Sequence, residues 1–255
     1  MRANHDGGGC FPTGRHYPGI AHLLRVVASG LAEEIDGSTE TASLSLVSID
    51  VETTGRDPAA DRIVEIACVI WRKGVLEARH SWLVNPGRPI SEEASGVHGI
   101  RDEHVQDKPS FDAIAPELLA LLQGLLPMAY NAEFDRNFLI SELARAGVPL
   151  QSPPPAVRKG IEWVDPLVWA RELQKDEKGK SLGEVAQRLG IEIARAHRAT
   201  DDAEAALHVM QRFLSDTRVP RNYAAFVQEQ KRLARIFTEE RQHWRSAPVA
   251  VAATR

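Results

Sequence analysis

The sequence predicts an α/β domain in which a mixed five-stranded sheet is flanked by helices. Strand-like runs come first along the chain, and strands and helices then alternate, a succession that is typical of a mixed sheet. The five predicted strands span residues 44–51, 62–72, 75–84, 125–130 and 161–164. The predicted helices of this domain span residues 110–122, 132–146, 167–173, 180–189 and 200–214.

The boundaries of these elements follow from turn and cap residues. The second and third strands are separated only by Lys73 and Gly74, and a two-residue connection of this kind favours an antiparallel hairpin. Ser110 stands where a helix cap is expected. Gly147 and Gly190 each follow a predicted helix, in the position typical of helix ends.

Two flanking segments are expected outside the central domain, which is predicted to span residues 44–215. Residues 1–43 are expected to begin as a disordered lead and to continue as a helix over 20–35. Residues 216–255 are expected to form a basic helix and tail, because residues 217–255 carry eight Lys or Arg against three Glu.

An apolar stripe runs along the helix predicted at 223–244. Its members are Phe226, Leu233, Phe237 and Trp244. The stripe can pack back onto the central domain, as most such stripes do. It can also dock a partner, either a protein such as a polymerase or a nucleic-acid strand, because the tail is positively charged. Both interpretations stay open at this point.

Charge and cysteine content limit the class of protein. A formal net charge of −4 gives no global attraction for a polyanion, so a nucleic acid would have to be bound through metal ions and small basic patches. Cys10 and Cys68 fit neither a disulfide framework nor a zinc site. No run reaches the roughly 18 apolar residues of a membrane span. We therefore expect a cytoplasmic protein without a membrane segment.

Four carboxylates are candidates for a metal site. Asp50 and Glu52 are two residues apart on a predicted strand, so their side chains leave the same face and point at one place. Asp135 and Asp202 lie near the starts of two predicted helices, on the apolar side of each. A carboxylate on an apolar face is costly unless a cation compensates it. Hard oxygen ligands of this kind suit Mg²⁺ or Mn²⁺.

His197 lies five residues before Asp202, in a predicted loop. A lone loop histidine is usually a polar surface residue. Here its spacing from an inward-facing carboxylate favours a catalytic role, because an imidazole can accept a proton near neutral pH. Glu65, an acid within an apolar strand, is instead predicted to be structural and bonded to nearby polar groups.

The segments 50–55, 131–135 and 197–202 together resemble the motifs of the DEDDh branch of the DnaQ-like 3′–5′ exonucleases. This family includes the proofreading epsilon subunit of bacterial DNA polymerase III. The resemblance covers about residues 44–214. Further matches lie at residues 62–67, 97–100, 108–109 and 181–182. One departure is Tyr130, which stands where many relatives carry His.

The resemblance implies a ribonuclease-H-like fold and a two-metal site. It implies that two Mg²⁺ or Mn²⁺ ions are held by four carboxylates, those of Asp50, Glu52, Asp135 and Asp202. It also implies that His197 is the general base. By the same resemblance, the terminal nucleotide is expected near four further residues, Thr53, Thr54, Val97 and His98. A loop-packing role for His98 stays equally open.

Three functional hypotheses follow. The main one is a metal-dependent 3′–5′ exonuclease that acts on the 3′ ends of single-stranded DNA and releases nucleoside 5′-monophosphates, either free-standing or as a proofreading partner of a polymerase. DNA is favoured over RNA, but an exoribonuclease acting on RNA or short oligoribonucleotides has the same chemistry. The third hypothesis is a non-catalytic module that binds a polymerase or nucleic acid. The complete set of catalytic residues argues against it.

Overall fold

The computed structural model describes residues 29–194 and 196–246. Its strands are β1 (Leu46–Thr53), β2 (Ile63–Arg72), β3 (Val75–Leu83) and β4 (Leu126–Met128). Its helices are α1 (Glu92–His98), α2 (Asp102–Val105), α3 (Phe111–Leu121), α4 (Glu133–Arg145), α5 (Pro166–Leu173), α6 (Leu182–Arg188), α7 (Ala199–Phe213) and α8 (Tyr223–Ser246). Short 3-10 turns span Thr41–Ser43 and Pro155–Val157.

The strands form one mixed sheet in the order β3-β2-β1-β4. β2 is antiparallel to both β1 and β3, whereas β4 runs parallel to β1. Lys73 and Gly74 join β2 to β3 with φ angles of 50° and 84°, so the predicted hairpin is confirmed. The parallel pairing places the carboxyl ends of β1 and β4 at the same edge of the sheet.

The described residues form four strands, not the five that were predicted. The segment expected to be a fifth strand makes a single parallel bridge, between Val164 and Met128. The pairing goes no further because Asp165 caps α5, accepting a hydrogen bond from Leu167 N over 2.9 Å. The chain thus turns into a helix immediately after the bridge.

Helices cover both faces of the sheet. Val47, Ile49 and Val51 of β1 are buried on the face covered by α3 and α4. On the other face lie α5, α7 and α8, whose apolar side chains pack with Leu46 and Met128. A β1 residue that points away from α3 and α4 therefore points towards the side of α7.

The helix α8 packs onto the central domain. Phe226 and Leu233 are 1% and 2% exposed, and the Phe226 ring stacks on Trp169 with 5.0 Å between centroids. Gln230 donates a hydrogen bond to the carbonyl of Trp163 over 2.7 Å. Packing of the stripe is thus confirmed for Phe226 and Leu233, whereas the side chain of Trp244 lies outside the described residues.

The helix predicted at residues 20–35 does not extend over 29–35, which form turns. Gly30 has a φ angle of 100° and its carbonyl accepts a hydrogen bond from Glu162 N. The backbone N–H of Ala32 is bonded to the hydroxyl of Tyr223 over 2.9 Å. The backbone of this segment makes these long-range hydrogen bonds instead of helical ones. The prediction of a helix was therefore wrong for residues 29–35. Residues 20–28 lie outside the described part of the chain.

The loop predicted at residues 85–109 contains two short helices, α1 and α2. The side chain of Ser91 caps α1 by accepting a hydrogen bond from Ala94 N, and Gly99 ends it with a φ angle of 72°. Ser followed by two glutamates and then Gly is a helix signal that could have been used. Among the described residues, no helix has the length and apolar character needed to cross a membrane.

Candidate active site

Three carboxylates converge at the carboxyl end of β1. Asp50 and Glu52 project from the same face of the strand, as predicted, and this face points away from Val47, Ile49 and Val51. Asp202 reaches the same place from the first turn of α7. Each of these three acids offers an oxygen atom within 4.8 Å of the other two. Such a cluster of oxygen ligands can hold a divalent cation.

Asp135 completes the set of predicted acids. It lies in the first turn of α4 and is only 4% exposed. Its Oδ1 atom accepts a hydrogen bond from the backbone N–H of Val51 over 3.0 Å. Because Val51 stands between Asp50 and Glu52, this bond places the fourth carboxylate beside the other two. The four acids that the sequence singled out are therefore brought together.

The cluster carries more negative charge than its surroundings can compensate. Burial, followed by the charges of Asp135 and Glu52, holds the pKa of Asp50 well above its usual range. Burial raises the pKa of Asp135 in the same way. For Glu52, burial and the nearby charge of Asp202 raise the pKa to about 8. Deprotonated carboxylates at this density fit a cationic ligand, and oxygen-only donors fit Mg²⁺ or Mn²⁺.

His197 stands next to the acids, in the loop before α7. Its backbone N–H donates to Oδ2 of Asp202 over 2.9 Å. The residue has a φ angle of 63° and its side chain is exposed. The imidazole is thus free to meet a ligand at the acidic cluster, while the main chain is tied to one of the acids. This is the position that the five-residue spacing predicted.

Glu65 has the structural role that was predicted for it. It faces Glu52 across the β1–β2 pairing and is 2% exposed. Its Oε1 atom accepts hydrogen bonds from Ser81 Oγ and Arg198 Nη2, each over 3.0 Å. Arg198 was not among the predicted site residues. Its place directly after His197 was the available signal.

Asp165 was also missed. Its carboxylate accepts hydrogen bonds from the backbone N–H groups of Asn131 and Ala132, over 3.0 and 3.1 Å. Asp165 therefore holds the chain at the start of α4, one turn before Asp135. An aspartate followed by Pro166 is a helix-start signal, but its second role depends on a residue 34 positions away.

A cavity of about 370 Å³ adjoins Glu52. Three of the predicted nucleotide contacts, Thr53, Val97 and His98, line it together with Phe134. Val97 is 50% exposed, which is unusual for an aliphatic side chain and leaves it available to a ligand. The structure thus brings these three residues to one concave surface beside the acids.

Two of the predicted contacts are also engaged within the protein. The His98 ring accepts a hydrogen bond at Nδ1 from Ile100 N over 3.0 Å, so its Nε2 is the donor to the carbonyl of Thr53, over 3.2 Å. The hydroxyl of Thr54 donates to Asp61 and accepts from Arg62 N. His98 therefore packs the α1 loop against β1. Contact of either residue with a nucleotide stays a prediction.

The sequence was compared with known families and proteins. The family model described as Exonuclease (RNase_T) matches residues 47–210. DNA polymerase III PolC-type of Thermotoga petrophila is 34% identical over 183 residues, which cover 70% of this chain and 12% of that protein. The 3′-5′ exonuclease DinG of Bacillus subtilis is 33% identical over 159 residues, or 62% of this chain and 16% of that protein. The chain thus spans a small part of these relatives.

Solved structures show the same fold. Exonuclease X in complex with 5′ overhanging duplex DNA has a TM-score of 0.55 at 26% identity, covering 71% of this chain and 99% of that one. E. coli Exonuclease I in complex with a dT13 oligonucleotide has a TM-score of 0.57 at 20% identity, covering 69% and 42%. The mixed sheet flanked by helices is the ribonuclease-H-like exonuclease fold, as the motifs implied. From its family match and its fold, the chain belongs to the exonuclease (RNase_T) family.

Proposed function

We propose that this protein is a DEDDh 3′–5′ exonuclease that hydrolyses phosphodiester bonds at the 3′ ends of single-stranded DNA and releases nucleoside 5′-monophosphates. The observation that carries the proposal is the convergence of Asp50, Glu52 and Asp202 within 4.8 Å, with Asp135 bonded to the backbone between the first two. A cluster of partly buried acids with raised pKa values is typical of a catalytic site.

The four carboxylates are the proposed ligands of two Mg²⁺ or Mn²⁺ ions. The donor set fits such ions, since it consists of carboxylate oxygens whose charges repel each other in the absence of a cation. When bound, a metal pair supplies orientation and acidification of the attacking water and charge stabilisation of the leaving 3′ oxygen. Asp50 lies close to the other three acids, because the charges of Asp135, Glu52 and Asp202 all raise its pKa.

His197 is the proposed general base. Its exposed imidazole lies at the rim of the cluster, and the bond from its backbone to Asp202 fixes the loop position. Arg198, the residue after His197, is bonded to Glu65. The loop is therefore attached at two points, through Asp202 and through Glu65. The imidazole takes the proton of the attacking water and releases it to solvent after the bond is broken.

The cavity beside Glu52 is the proposed site of the terminal nucleotide. Its volume of about 370 Å³ lies in the range of small-molecule pockets. Val97 and Phe134 supply apolar surface for a base, and the backbone of Thr53 supplies polar groups next to the acids. Thr54 and His98 shape the cavity by tying down the loops around it.

DNA is the proposed substrate, because the relatives include DNA polymerase III PolC-type and the structural neighbours include exonucleases bound to DNA. A proofreading partnership with a polymerase is proposed on the same basis, with the basic helix α8 as the candidate contact. An exoribonuclease would use the same carboxylates. Matched deoxy and ribo oligomers therefore decide between the two polymers.

The test is a gel time course with 5′-labelled single-stranded DNA and matched RNA, in Mg²⁺, Mn²⁺ and chelator. Wild type is expected to shorten the strand from its 3′ end in metal only, and Asp50→Ala is expected to abolish the ladder. Asp112→Ala serves as the control, because Asp112 is an exposed aspartate in the first turn of another helix, α3. Full activity in chelator, or an active Asp50→Ala variant, would refute the metal mechanism. Absence of a ladder on any substrate would favour a non-catalytic binding module.

A further inference from the structure

A groove between α5 and α8 is rich in positive charge. It has a volume of about 510 Å³ and is lined by five cations, Arg171, Lys175, Lys180, Arg232 and Arg241. Two acids, Glu172 and Glu240, also line it. Because the whole chain has a net charge of −4, this excess of cations is a local feature and not a property of the entire surface.

The positive charges of two of these arginines, Arg171 and Arg241, act on each other. Burial, followed by the charge of Arg241, lowers the pKa of Arg171. Within residues 29–194 and 196–246, neither guanidinium forms an ion pair, whereas Arg232 is bonded to Glu229. Two like charges held together and partly desolvated raise the free energy of the folded protein. An anionic ligand would reverse that contribution.

An aromatic ring stands beside the two guanidiniums. The Cζ atom of Arg171 lies 6.0 Å from the centroid of the Phe237 ring. Phe237 is only partly buried, and it shares a face of α8 with Leu233 and Arg241, four residues away on either side. Cations with a partly exposed aromatic ring are the usual elements of a single-strand binding surface, since phosphates meet the cations and a base can stack on the ring.

The groove is connected to the catalytic helix. A neighbouring cavity of about 440 Å³ shares Arg171 and Arg241 with the groove and reaches Asn131 and Glu133 at the start of α4. Asp135 lies in the same first turn. The cavity is also lined by Arg136, with Glu162 and Asp165 on its wall. A continuous concave surface thus leads from the turn that carries Asp135 to the α5–α8 groove, with Arg136, Arg171 and Arg241 along it.

We propose that the α5–α8 groove binds the phosphodiester backbone of a nucleic-acid strand, a few nucleotides upstream of the 3′ end that enters the active site. The inference rests on the proposed exonuclease function for its direction along the strand. Arg171 and Arg241 are the proposed phosphate contacts, and Phe237 is the proposed stacking surface. The cations of the groove would thereby attract a polyanion locally, although the net charge of the protein is negative.

The test compares strand binding by substituted proteins over a range of salt concentrations. All proteins carry Asp202→Asn to prevent cleavage, and binding of 5′-labelled oligothymidylate of about twelve nucleotides and of a dinucleotide is followed by fluorescence anisotropy. The groove variant is Arg171→Gln with Arg241→Gln. Its matched control, Arg72→Gln with Lys73→Gln, removes the same charge at the β2–β3 hairpin, at the opposite edge of the sheet from Asp50.

In the groove variant, the slope of log K for strand association against log salt concentration is expected to be smaller in magnitude by about 1.4. Two phosphate contacts are lost, and each single-strand contact contributes roughly 0.7. At ~0.1 M salt this corresponds to about a 25-fold weaker affinity for the longer strand. Affinity for the dinucleotide and the slope of the control variant are expected to stay unchanged. Replacement of both arginines by Lys is expected to retain most of the slope.

An unchanged slope in the groove variant would overturn the proposal and leave the groove to a protein partner. Equal losses in the groove and control variants, or in the Lys and Gln variants, would also overturn it. Hydrolysis of a small chromogenic ester of thymidine 5′-monophosphate, measured without Asp202→Asn, reports on the active site alone. Failure of that reaction refutes the proposed function, whereas a lowered slope would still establish the groove.

Discussion

Arg198 donates a hydrogen bond from Nη2 to Oε1 of Glu65 over 3.0 Å, although the two residues are 133 positions apart. Glu65 is 2% exposed, whereas 40% of the Arg198 side chain is exposed. The bond ties the residue after His197 to β2, at the position that faces Glu52. The loop that carries the proposed general base is thus attached to the sheet that carries two of the acids.

Glu65→Gln is expected to lower kcat about tenfold while KM and binding of metal stay nearly unchanged. The amide keeps the size of the side chain but loses its charge, so Arg198 is held less firmly and His197 is less well placed. A hydrogen bond to a charged group contributes about 1.5–3 kcal/mol, so a modest fall in stability is also expected. Steady-state hydrolysis of the chromogenic ester measures kcat and KM.

Glu204→Gln is the control for that substitution, because it removes the partly buried partner of Arg79 on the same helix as Asp202. Its kcat is expected to match wild type. A wild-type kcat for Glu65→Gln would show that the Arg198 contact does not position the loop.

The stability of the metal-free protein is expected to fall as the pH rises. The pKa of Glu52 is raised from 4.5 to about 8, and that of Asp50 is also raised. The folded state therefore binds protons more tightly than the unfolded chain, so stability present at low pH is lost between about pH 4.5 and 8. Thermal unfolding of chelator-treated protein, followed by circular dichroism across this range, tests the sign.

Asp50→Asn should flatten this pH dependence and raise the Tm of the metal-free protein near the upper end of the range. Removal of one partly buried charge from the cluster is expected to stabilise the fold by about 1–2 kcal/mol, or about 2–8 °C. Asp112→Asn should leave the profile unchanged. A Tm that rises with pH in the wild type would contradict the assigned pKa shifts.

Addition of Mn²⁺ or Mg²⁺ is expected to raise the Tm of the wild type, since an ion that binds only the folded state stabilises it by about 2.7 kcal/mol at 100 times its Kd. The gain should grow with pH, because deprotonated carboxylates bind the cation. Asp50→Asn and Asp202→Asn are expected to lose most of it. Titration calorimetry counts the ions, and a stoichiometry of one would disprove the two-metal site.

His197→Asn is expected to lower kcat by about 10²–10⁴-fold, the usual contribution of a general base. Asn is preferred to Ala here because it tolerates a positive φ angle, and His197 has a φ angle of 63°. The bond from the backbone to Asp202 survives the substitution, so metal-dependent stabilisation should be retained. Loss of that stabilisation would mean that the imidazole supports the metal site itself.

The sequence predicted those features that leave a local or periodic signal. Strand-like and helical patterns located β1 and α7, and Asp202 was placed on the apolar side of its helix. The family motifs then selected the same acids that the structure brings together. Even the structural role of Glu65 followed from its place in an apolar strand.

Features that depend on distant residues were not predictable in this way. Arg198 and Asp165 act through partners far away in the chain, and no local pattern records such pairs. Val164 was expected in a strand, but the cap formed by the next residue ends the pairing. A helix was expected over residues 20–35, yet Leu31 and Ile35 pack against the core without forming one.

The bond between Ala32 and Tyr223 joins two flanks that both lie outside the family match at 47–210. Further backbone hydrogen bonds, such as the one from Tyr223 N to Thr39 O, join the same two flanks. Because Phe226 of α8 also covers Trp169, an excised catalytic segment would expose a large apolar face. Residues 29–43 and α8 should accordingly lose amide-exchange protection together, as one cooperative unit. A fragment cut at the family boundaries is then a poor measure of the stability of the chain with both flanks.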